Sequence, residues 1–394
     1  MVKAPSILFL TNAYPDFDSS YRGIFVQKMA TLLRDGGYRI SVVTPRIYKR
    51  SPYFENQGGI KVYRFPFFAR DKLLIEYKKI PYLRMIFYHL TGFLWTLYGA
   101  LKNRCKMIHV HWAIPTGLIG IWVGGFLRKP VIVTIHGSDF RMATEKFTFI
   151  TKIFLYVCQR ATQIMCVSDL QKREIQKMGV EAEKMSTIPM GIDETFLEAG
   201  RRRKEKSNDQ YYMVLSNRNL LPLYNVSLLI RAIPKVLKEQ PYTKFYIAGD
   251  GSDREGLEDE AKSLNLGSAV QFLGHLPHKK MAELLSQADV YVSTSLSDGT
   301  SVSLLEAMGS GAFPIVTDIP ANREWVVDGK NGFLVPVDQA EILANRIVNA
   351  IRNRGLLEKS RTENFVIAEE KALWPRNIRK LEEIYSSLLS NVAQ

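Results

Sequence analysis

Short runs of near-continuous apolar residues alternate along the chain with longer segments in which apolar residues recur every three or four positions. A run of four to eight apolar residues is typical of a strand buried on both faces, and the intervening segments are long enough for helices. This alternation favours parallel sheets covered by helices on both sides, an α/β fold. The predicted strands are SILFLTN, RISVVTP, MIHVHW and PVIVTIHG in the first half, and YYMVLSN, KFYIAGDG, AVQFLGH, ADVYVSTS and AFPIVTD in the second.

The length of the chain predicts two such domains. Its 394 residues exceed the size at which a single hydrophobic core usually keeps growing. The stretch FLEAGRRRKEKSNDQYY at 196–212 is polar, rich in charge and without apolar periodicity, as is typical of a linker. We therefore expect a doubly wound domain at 1–195 and another at 208–374. The final segment, 375–394, carries an apolar stripe on one helical face, which needs a surface to cover it.

Two longer apolar stretches raise the question of a membrane contact. Met85–Leu101 has His89 as its one residue that titrates near neutral pH and is at the lower limit for spanning a bilayer. Ile114–Leu127 is broken by proline and glycine and is expected inside the sheet domain. Basic and aromatic residues surround the first stretch, which favours a helix lying in the headgroup layer or packed on the core over a transmembrane span. These residues are Arg70, Lys72, Tyr77, Lys78, Lys79, Tyr82, Arg84, Trp95, Tyr98, Lys102, Arg104 and Lys106.

The net charge of +14 is concentrated in the first half of the chain. Residues 1–190 hold 28 Lys and Arg against 12 Asp and Glu, a net +16, while residues 191–394 have a net charge of −2. Such a surplus suggests an anionic partner, either nucleic acid, an anionic membrane leaflet or a phosphorylated acceptor; a solvated basic surface is the alternative. No nucleic acid is expected, because the sequence has no helix-turn-helix, zinc-finger or RNP motif.

Cysteine usage and the first residues indicate the compartment. Cys105, Cys158 and Cys166 form neither a disulfide framework nor a metal-ligand pattern. The first apolar run is too short for the hydrophobic region of a signal peptide and is typical of a buried strand. We expect a cytoplasmic protein without a bound metal.

Polar residues follow several strands of the first half, at the sheet edge where open α/β folds bind ligands. His136 and Asp139, in TIHGSDF, are suited to hydrogen-bond sugar hydroxyls. Gly23 begins a helix after the first strand, where it serves either a phosphate contact or a simple turn. His109 and His111 are assigned to opposite faces of their strand, so that at most one faces a given cleft. The alternative for either is a core or edge histidine.

The second half offers candidates for binding an anion. Arg218 directly follows a strand, and its planar guanidinium suits a pyrophosphate. In SDGTSVSLLEAMGSG, residues 297–311, the apolar spacing predicts a helix that begins near Ser301 and is capped by Thr300 or Ser301. The amides at such a helix N-terminus bind anions. Gly249 and Gly251, in AGDG, either assist in binding this anion or serve only a turn.

Two carboxylates bracket this predicted anion site. Asp298 stands in the loop before the helix and Glu306 lies about a turn and a half inside it. Their separation is too large for shared metal ligation and suits hydroxyl groups on either side of a diphosphate.

Taken in order, these residues resemble the retaining glycosyltransferases of family 4. The resemblance spans nearly the whole chain and rests on Gly23 after the first strand, HGSD, CVSDLQKREI, IPMGID, AGDG and SDGTSVSLLEAMGSGAFPIVTDIPANREWVVDGKNGFLV. It implies a GT-B fold, with two Rossmann-like domains facing a cleft. The domain at 1–195 would bind mainly the acceptor and that at 208–374 the nucleotide-sugar donor, while the helix at 375–394 would cross back to the first domain.

The resemblance also implies roles for individual residues. The family's acidic pair, spaced E-x7-E, corresponds to Asp298 near the donor sugar and Glu306 at the ribose hydroxyls. The remaining expected contacts are Gly23, Arg218, Gly299, Thr300, Ser301 and Val302 at the donor phosphates, His136 at the transferred sugar, and His111 and Asp139 on the acceptor side. Two departures stand out, because Asp298 replaces a glutamate and Tyr224 stands where an Arg-x5-Lys pair has its lysine.

The implied activity is transfer of a sugar from a UDP- or GDP-sugar to a hydroxyl of a membrane-linked glycolipid or polysaccharide precursor, with retention and without a metal or other cofactor. The protein would act at the cytoplasmic face of the cell membrane, attached peripherally. Two alternatives are a GT-B-like nucleotide-sugar epimerase and a catalytically silent nucleotide-sugar-binding scaffold.

Overall fold

The computed structural model describes residues 4–17, 20, 22–69, 71, 81–145, 148–203 and 211–391. The chain divides into two compact units. Unit 1 comprises Met1–Ile188 and Ile378–Gln394, and unit 2 comprises the continuous segment Pro189–Asn377.

Unit 1 is built on a mostly parallel sheet of eight strands, in the order β3-β4-β2-β1-β5-β6-β7-β8. Only β3 runs antiparallel, beside β4 at the edge. The central strands are buried along their whole length, which explains their continuous apolar runs. The strands are β1 Ser6–Thr11, β2 Arg39–Arg46, β3 Phe54–Gln57, β4 Ile60–Pro66, β5 Met107–His111, β6 Val131–Ile135, β7 Gln163–Cys166 and β8 Met185–Thr187.

Helices cover the sheet of unit 1. They are α1 Ile24–Asp35, α2 Tyr82–Lys102, α3 Leu118–Leu127, α4 Ser138–Glu145, α5 Thr148–Arg160 and α6 Asp169–Lys177, with a π-helical turn at Ala113–Gly117 leading into α3. Helix α3 contributes Ile119 and Val123 to the core, as expected for an apolar helix packed in the sheet domain.

Helix α2 has one buried and one exposed side. Tyr88, Gly92, Thr96, Gly99 and Ala100 face the protein. A stripe of large apolar residues on the other side is exposed. It consists of Leu83, Phe87, Leu90, Leu94, Tyr98 and Leu101. No helix in the described ranges is long and apolar enough to cross a bilayer. The basic residues predicted before this helix, at 70, 72, 78 and 79, lie outside the described residues, as does Tyr77.

Unit 2 contains a parallel sheet of six strands, in the order β11-β10-β9-β12-β13-β14. The strands are β9 Tyr212–Ser216, β10 Thr243–Ala248, β11 Val270–Gly274, β12 Val290–Ser293, β13 Phe313–Thr317 and β14 Phe333–Val335. The helices are α7 Glu194–Arg201, α8 Val226–Glu239, α9 Arg254–Ser263, α10 His278–Gln287, α11 Val302–Gly309, α12 Pro320–Arg323, α13 Ala340–Arg352 and α14 Arg354–Lys371. Helix α15, Trp374–Asn391, begins in unit 2.

The start of the expected linker is helical rather than extended. Helix α7 continues to Arg201, and Phe196 and Leu197 are buried in a core cluster with Leu304 and Met308 of α11. The prediction of a linker from residue 196 was therefore wrong at its beginning, because these two apolar residues bury enough surface to hold a turn of helix. Residues 204–210 lie outside the described part of the chain.

Helix α15 passes from unit 2 into unit 1. Its first residues stay with unit 2, where Asn377 donates to the Pro189 carbonyl over 2.9 Å. The predicted apolar stripe is buried in unit 1 at Ile378 and Leu381, and Tyr385 is fully buried with it. The Tyr385 hydroxyl lies 2.5 Å from Nδ1 of His109 on β5, which ties the helix to the sheet.

Candidate functional site

The first candidate residue in unit 1, Gly23, lies directly before α1 with φ 67°. A Cβ at this position would lie 2.1 Å from the carbonyl oxygen of Ala13, in the loop after β1. The close approach of these two backbone segments requires glycine. The turn conformation by itself explains why a glycine stands here. The contact of Gly23 with the donor phosphates stays a prediction.

His136 follows β6 and belongs to a row of aromatic rings at the carboxyl edge of the sheet. Its ring stacks on His111 with centroids 5.3 Å apart and lies against Trp112 and Phe25 at 4.3 and 5.0 Å. His136 Nε2 is 3.1 Å from His111 Nδ1. The imidazole is thus held from three sides while remaining partly accessible.

His109 and His111 lie on the same face of β5, so their assignment to opposite faces was wrong. Their rings stack with centroids 4.5 Å apart. The physical reason is the two-residue period of a strand, which returns residues i and i+2 to one side. The sequence IHVHW therefore places both histidines in one row, and His136 extends it.

Burial keeps these imidazoles neutral. It lowers the pKa of His136 and of His109 to about 3, and that of His111 falls well below its ordinary value for the same reason. One hydrogen of the His111–His136 pair must lie between the two rings. His111 Nε2 is buried without a partner among the described residues, and an orphaned N–H is rarer in proteins than an orphaned lone pair. The favoured tautomer has His111 Nδ1–H donating to His136 Nε2, which leaves His136 with an Nδ1–H donor.

Asp139 is buried and holds the neighbouring loops together. One carboxylate oxygen accepts from the Ala113 amide at 2.7 Å, and the other accepts from Gly137 and Phe140 at 3.1 Å. Burial raises its pKa to about 6, against the opposing effect of these amides. In this arrangement Asp139 shapes the turn that carries His136, and its predicted contact with the acceptor remains untested.

In unit 2, the predicted helix after β12 is α11, and Ser301 is its N-cap. Ser301 Oγ accepts from the Leu304 amide at 3.4 Å. The first amides of the helix have no intrahelical acceptor, and the helix dipole makes this end electropositive. The loop of Gly299, Thr300, Ser301 and Val302 is therefore positioned to receive an anion.

Arg218 is brought to the same place from the end of β9. Its Nη1 donates to Ser301 Oγ at 2.9 Å and its Nη2 to Asp298 Oδ2 at 2.6 Å. The other oxygen of Asp298 accepts from the Gly299 amide at 3.0 Å. Arg218 and Asp298 are both largely buried, so they form a close ion pair at the N-terminus of α11.

Glu306 lies inside α11 and faces the protein. Its carboxyl group is buried, with Asn217 Nδ2 at 3.4 Å as its polar neighbour. Burial raises the pKa of Glu306 to about 8. A buried carboxyl group at this position can exchange hydrogen bonds with ligand hydroxyls once a ligand covers it.

Tyr224, which replaces the family's lysine, stacks against the Arg218 guanidinium at 4.3 Å from its ring centroid. The Thr294 hydroxyl at the end of β12 holds this segment by donating to the Tyr224 and Asn225 carbonyls at 3.0 and 2.8 Å. The position thus contributes a cation–π contact rather than a second cation. Sequence reasoning missed this contact and that of Asn217, because both depend on which loops meet at the sheet edge.

The glycines of the AGDG turn have a packing reason. A Cβ at Gly249 would lie 2.2 Å from the Arg218 carbonyl oxygen, and one at Gly251 would lie 2.1 Å from that of Leu220. They allow the loop carrying Arg218 to lie close to the turn after β10. Within the described ranges, no group of three or more His, Cys, Asp and Glu residues could hold a metal ion.

The structure therefore assembles two clusters, each at the carboxyl edge of a sheet. His111, His136 and Asp139 belong to unit 1, where Gly23 also lies. The unit 2 cluster consists of Arg218, Asp298, Gly299, Thr300, Ser301, Val302 and Glu306.

Comparisons with known proteins agree with this architecture. Residues 23–196 match the family profile described as Glycosyltransferase Family 4, and residues 199–365 match that described as Glycosyl transferases group 1. The structure resembles sucrose-phosphate synthase from Thermosynechococcus elongatus, with a TM-score of 0.78 and 17% identity over 98% of this chain and 100% of that one. It also resembles Anabaena HepE in complex with UDP, with a TM-score of 0.74 and 18% identity over 97% of this chain and 100% of that one.

Among curated sequences, the GPI3 subunit of phosphatidylinositol N-acetylglucosaminyltransferase from Saccharomyces cerevisiae is 23% identical over 377 residues, covering 93% of this chain and 79% of the relative. Phosphatidyl-myo-inositol mannosyltransferase from Mycobacterium tuberculosis is 28% identical over 237 residues, covering 58% and 60%. The two parallel-sheet domains and these matches define a GT-B glycosyltransferase. The chain belongs to glycosyltransferase family 4, as the resemblance of its motifs predicted.

Proposed function

We propose that this glycosyltransferase moves a sugar from a UDP- or GDP-sugar to a hydroxyl of a membrane-linked glycolipid or polysaccharide precursor. The observation that carries the proposal is the cluster at the N-terminus of α11, where Arg218, Ser301 and buried Glu306 converge. The relatives named above support the substrate classes, since one was solved with UDP and two are named for phosphatidylinositol.

The donor diphosphate is proposed to lie on the amides of Gly299–Val302, beside Arg218. The helix dipole, the amides and the guanidinium then stabilise the charge that develops on the leaving diphosphate, the role a divalent metal has in other transferases. Glu306 is proposed to bind the ribose hydroxyls and Asp298 to lie near the donor sugar.

The proposed reaction retains the configuration at the anomeric carbon. The bond from that carbon to the diphosphate oxygen breaks, and the acceptor oxygen bonds to the same face. The acceptor's proton passes to an oxygen of the departing diphosphate. His136, neutral at physiological pH because burial depresses its pKa, is proposed to donate a hydrogen bond to the sugar through Nδ1–H.

A membrane contact is proposed for the apolar side of α2. Leu83 is 76% exposed, and the stripe it begins runs the length of the helix to Leu101. Trp122 and Phe126 of α3, a helix that packs against α2, are exposed as well. A soluble surface rarely carries so many large apolar groups together. With the basic surplus of residues 1–190, this face suits the cytoplasmic side of an anionic membrane.

The transfer is tested by incubating the protein with radiolabelled UDP- and GDP-sugars and a membrane lipid extract, with and without EDTA. We expect label in the lipid fraction at an undiminished rate in EDTA, and a product whose anomeric configuration by NMR equals that of the donor. Interconversion of the free nucleotide-sugar would support the epimerase instead, and binding without turnover would support the scaffold. An inverted product would overturn retention alone.

Flotation with phosphatidylglycerol-containing vesicles tests the membrane contact. Leu90→Asn with Leu94→Asn is expected to reduce flotation strongly, because it removes two apolar side chains from the stripe. The control is Val327→Asn, which removes one exposed apolar side chain from unit 2 and should leave flotation unchanged. Absence of flotation by the unmodified protein at both low and high salt would contradict the proposal.

A further inference from the structure

A pocket of about 490 Å³ opens at the amino-terminal edge of the unit 1 sheet. It lies between the start of β1, the end of α2 and the loop that follows α3, so it is at the opposite edge of the sheet from His136. Its charged lining residues are Arg39, Arg104, Lys106 and Lys129, and Leu101 and Leu127 contribute apolar surface.

The charges of this pocket are unbalanced. No carboxylate lines it among the described residues, and none of its four cations is within ion-pair distance of a carboxylate in that part of the chain. Arg39 Nε donates to the Ala4 carbonyl at 3.0 Å, which satisfies one hydrogen but neutralises no charge. Ordinary protein surfaces intersperse both signs of charge. Four cations around one concavity make a site that an anion would stabilise.

The cations are held by rigid backbone. Arg104 lies just beyond the C-terminus of α2 with φ 51°, and its amide donates to the Leu101 carbonyl at 3.1 Å. The Lys106 amide donates to the Ser6 carbonyl at 2.7 Å, which fixes it to β1. Between them, Cys105 is buried, and burial raises the pKa of its thiol to about 11, so it adds no negative charge.

The apolar lining joins the pocket to the exposed side of α2. Leu101 lines the pocket and is also the last residue of the apolar stripe that contains Leu90 and Leu94. A ligand with a phosphate at one end and hydrocarbon at the other matches both surfaces. A small anion such as inorganic phosphate would use the cations and leave the stripe uncovered.

We propose that this pocket binds the phosphate headgroup of an anionic phospholipid, whose acyl chains extend along the apolar stripe of α2. The assignment rests on the membrane contact proposed above but not on the transfer reaction. The site is separate from both clusters at the carboxyl edges of the sheets. It converts a general attraction to anionic membranes into a specific lipid contact that fixes the position of unit 1 at the bilayer.

The decisive variant is Arg104→Gln with Lys129→Gln, which leaves a polar, somewhat shorter side chain at both positions and removes two charges. Its matched control is Lys152→Gln with Arg173→Gln, which removes two exposed cations from α5 and α6 outside the pocket. Binding is measured by co-sedimentation with phosphatidylcholine vesicles that contain or lack phosphatidylglycerol. We expect the pocket variant to bind the anionic vesicles roughly tenfold more weakly and the control to change by about twofold or less. Equal losses in both variants, or no loss in either, would overturn the pocket as a specific site.

Two further measurements separate the sources of the anion and the underlying proposals. Calorimetric titration with dihexanoyl phosphatidylglycerol should show binding that the pocket variant loses, and millimolar inorganic phosphate should not displace this lipid. Full displacement by phosphate would show a free-anion site instead. Binding of UDP or GDP, whichever the unmodified protein binds, should be unchanged in both variants. If neither nucleotide binds any of these proteins, the donor proposal is refuted while the lipid site stands. If no vesicle binds the unmodified protein, the membrane contact fails, and the soluble-lipid titration still decides the pocket.

Discussion

The Arg218–Asp298 ion pair occupies the place proposed for the donor diphosphate. Its Nη2–Oδ2 distance of 2.6 Å and its burial mean that much of the guanidinium charge is already compensated before a ligand arrives. A diphosphate therefore competes with Asp298 for Arg218. Tyr224 adds no second cation, so nothing at that position offsets the effect of this competition on the affinity for the donor.

Substitution of Asp298 by Asn should separate donor binding from turnover. We expect the donor's nucleotide diphosphate, UDP or GDP, to bind roughly three- to tenfold more tightly, because Arg218 then offers an uncompensated charge, while the turnover number falls through loss of the proposed sugar contact. Titration calorimetry and initial rates measure the two effects. Asp318→Asn, which opens the exposed Asp318–Arg323 pair at 2.6 Å, is the control and should change neither. Weaker binding of that nucleotide by Asp298→Asn would contradict this account of the pair.

His111 is expected to act by positioning His136. Substitution of His111 by Phe keeps the ring stack but removes the hydrogen bond of 3.1 Å to His136 Nε2. We expect the turnover number to fall roughly tenfold or more, since a positioned hydrogen-bond donor is worth a few kcal/mol in the transition state, with UDP affinity unchanged. His278→Phe, at an exposed site in unit 2, is the control. Unaltered turnover in His111→Phe would show that His136 needs no such support.

The sequence predicted those site features that depend on local pattern. The start of the helix, its Ser301 cap and the position of Glu306 about a turn and a half along it follow from spacing within a few residues. The Arg218–Asp298 pair joins positions 80 residues apart, and the Tyr224 stack depends on where Thr294 anchors its loop. Neither is visible until the strands are placed side by side. The error at His109 and His111 was one of periodicity and could have been avoided from the sequence.

At the scale of elements, Gly23 is where α1 meets the loop after β1. Gly23→Ala adds a Cβ 2.1 Å from the Ala13 carbonyl oxygen and places an L-residue at φ 67°. We expect the free energy of unfolding to fall by about 2 kcal/mol or more, because backbone strain and displacement of the loop add together.

Gly37→Ala provides the matched control for this prediction. Gly37 follows the same helix with φ 97°, but a Cβ there would meet nothing within 4 Å. Gly37→Ala should lower the free energy of unfolding by only about 1 kcal/mol, because only the backbone conformation is strained. Thermal unfolding of both variants gives the comparison. Equal losses would show that the contact with Ala13 is relieved without cost.

Four of the five strands that sequence reasoning missed are short. Strands β3, β7, β8 and β14 are only three or four residues long, too short for a periodic signal. Strand β4 contains a fully buried arginine, Arg64, which bonds to Glu55 and to the Pro15 carbonyl. A charged residue in a run normally argues against a buried strand. The nine longer apolar runs were all confirmed as strands, because a short continuous apolar run is compatible with few structures other than a buried strand.

At the scale of the whole molecule, the two units should respond oppositely to pH. In unit 1, burial depresses the pKa of His109, His111 and His136, so folding excludes protons and stability is lost as pH falls below about 6.5. Asp139, with its pKa raised to about 6, opposes this, but it is one group against three. In unit 2, Glu306 has a pKa raised from 4.5 to about 8, so stability declines as pH rises through that interval.

Hydrogen–deuterium exchange at pH 5, 7 and 8.5, corrected for intrinsic rates, can observe each unit separately. Protection of β5 should be lowest at pH 5, and protection of α11 should be lowest at pH 8.5. Glu306→Gln should remove the pH dependence at α11 and leave that at β5 unchanged. Parallel behaviour of the two regions in the unmodified protein would refute the assignment of these buried groups as the cause.

Helix α15 makes unit 1 discontinuous in sequence, and this has a consequence for synthesis. Unit 2 is one uninterrupted segment and can close as soon as it leaves the ribosome, although it is made second. Unit 1 emerges first, yet His109 lacks the Tyr385 hydroxyl, and the sheet lacks helix α15, until that helix has been translated. We expect unit 1 to remain incomplete on the nascent chain while unit 2 folds. Chaperones should therefore bind this protein at the exposed sheet of unit 1.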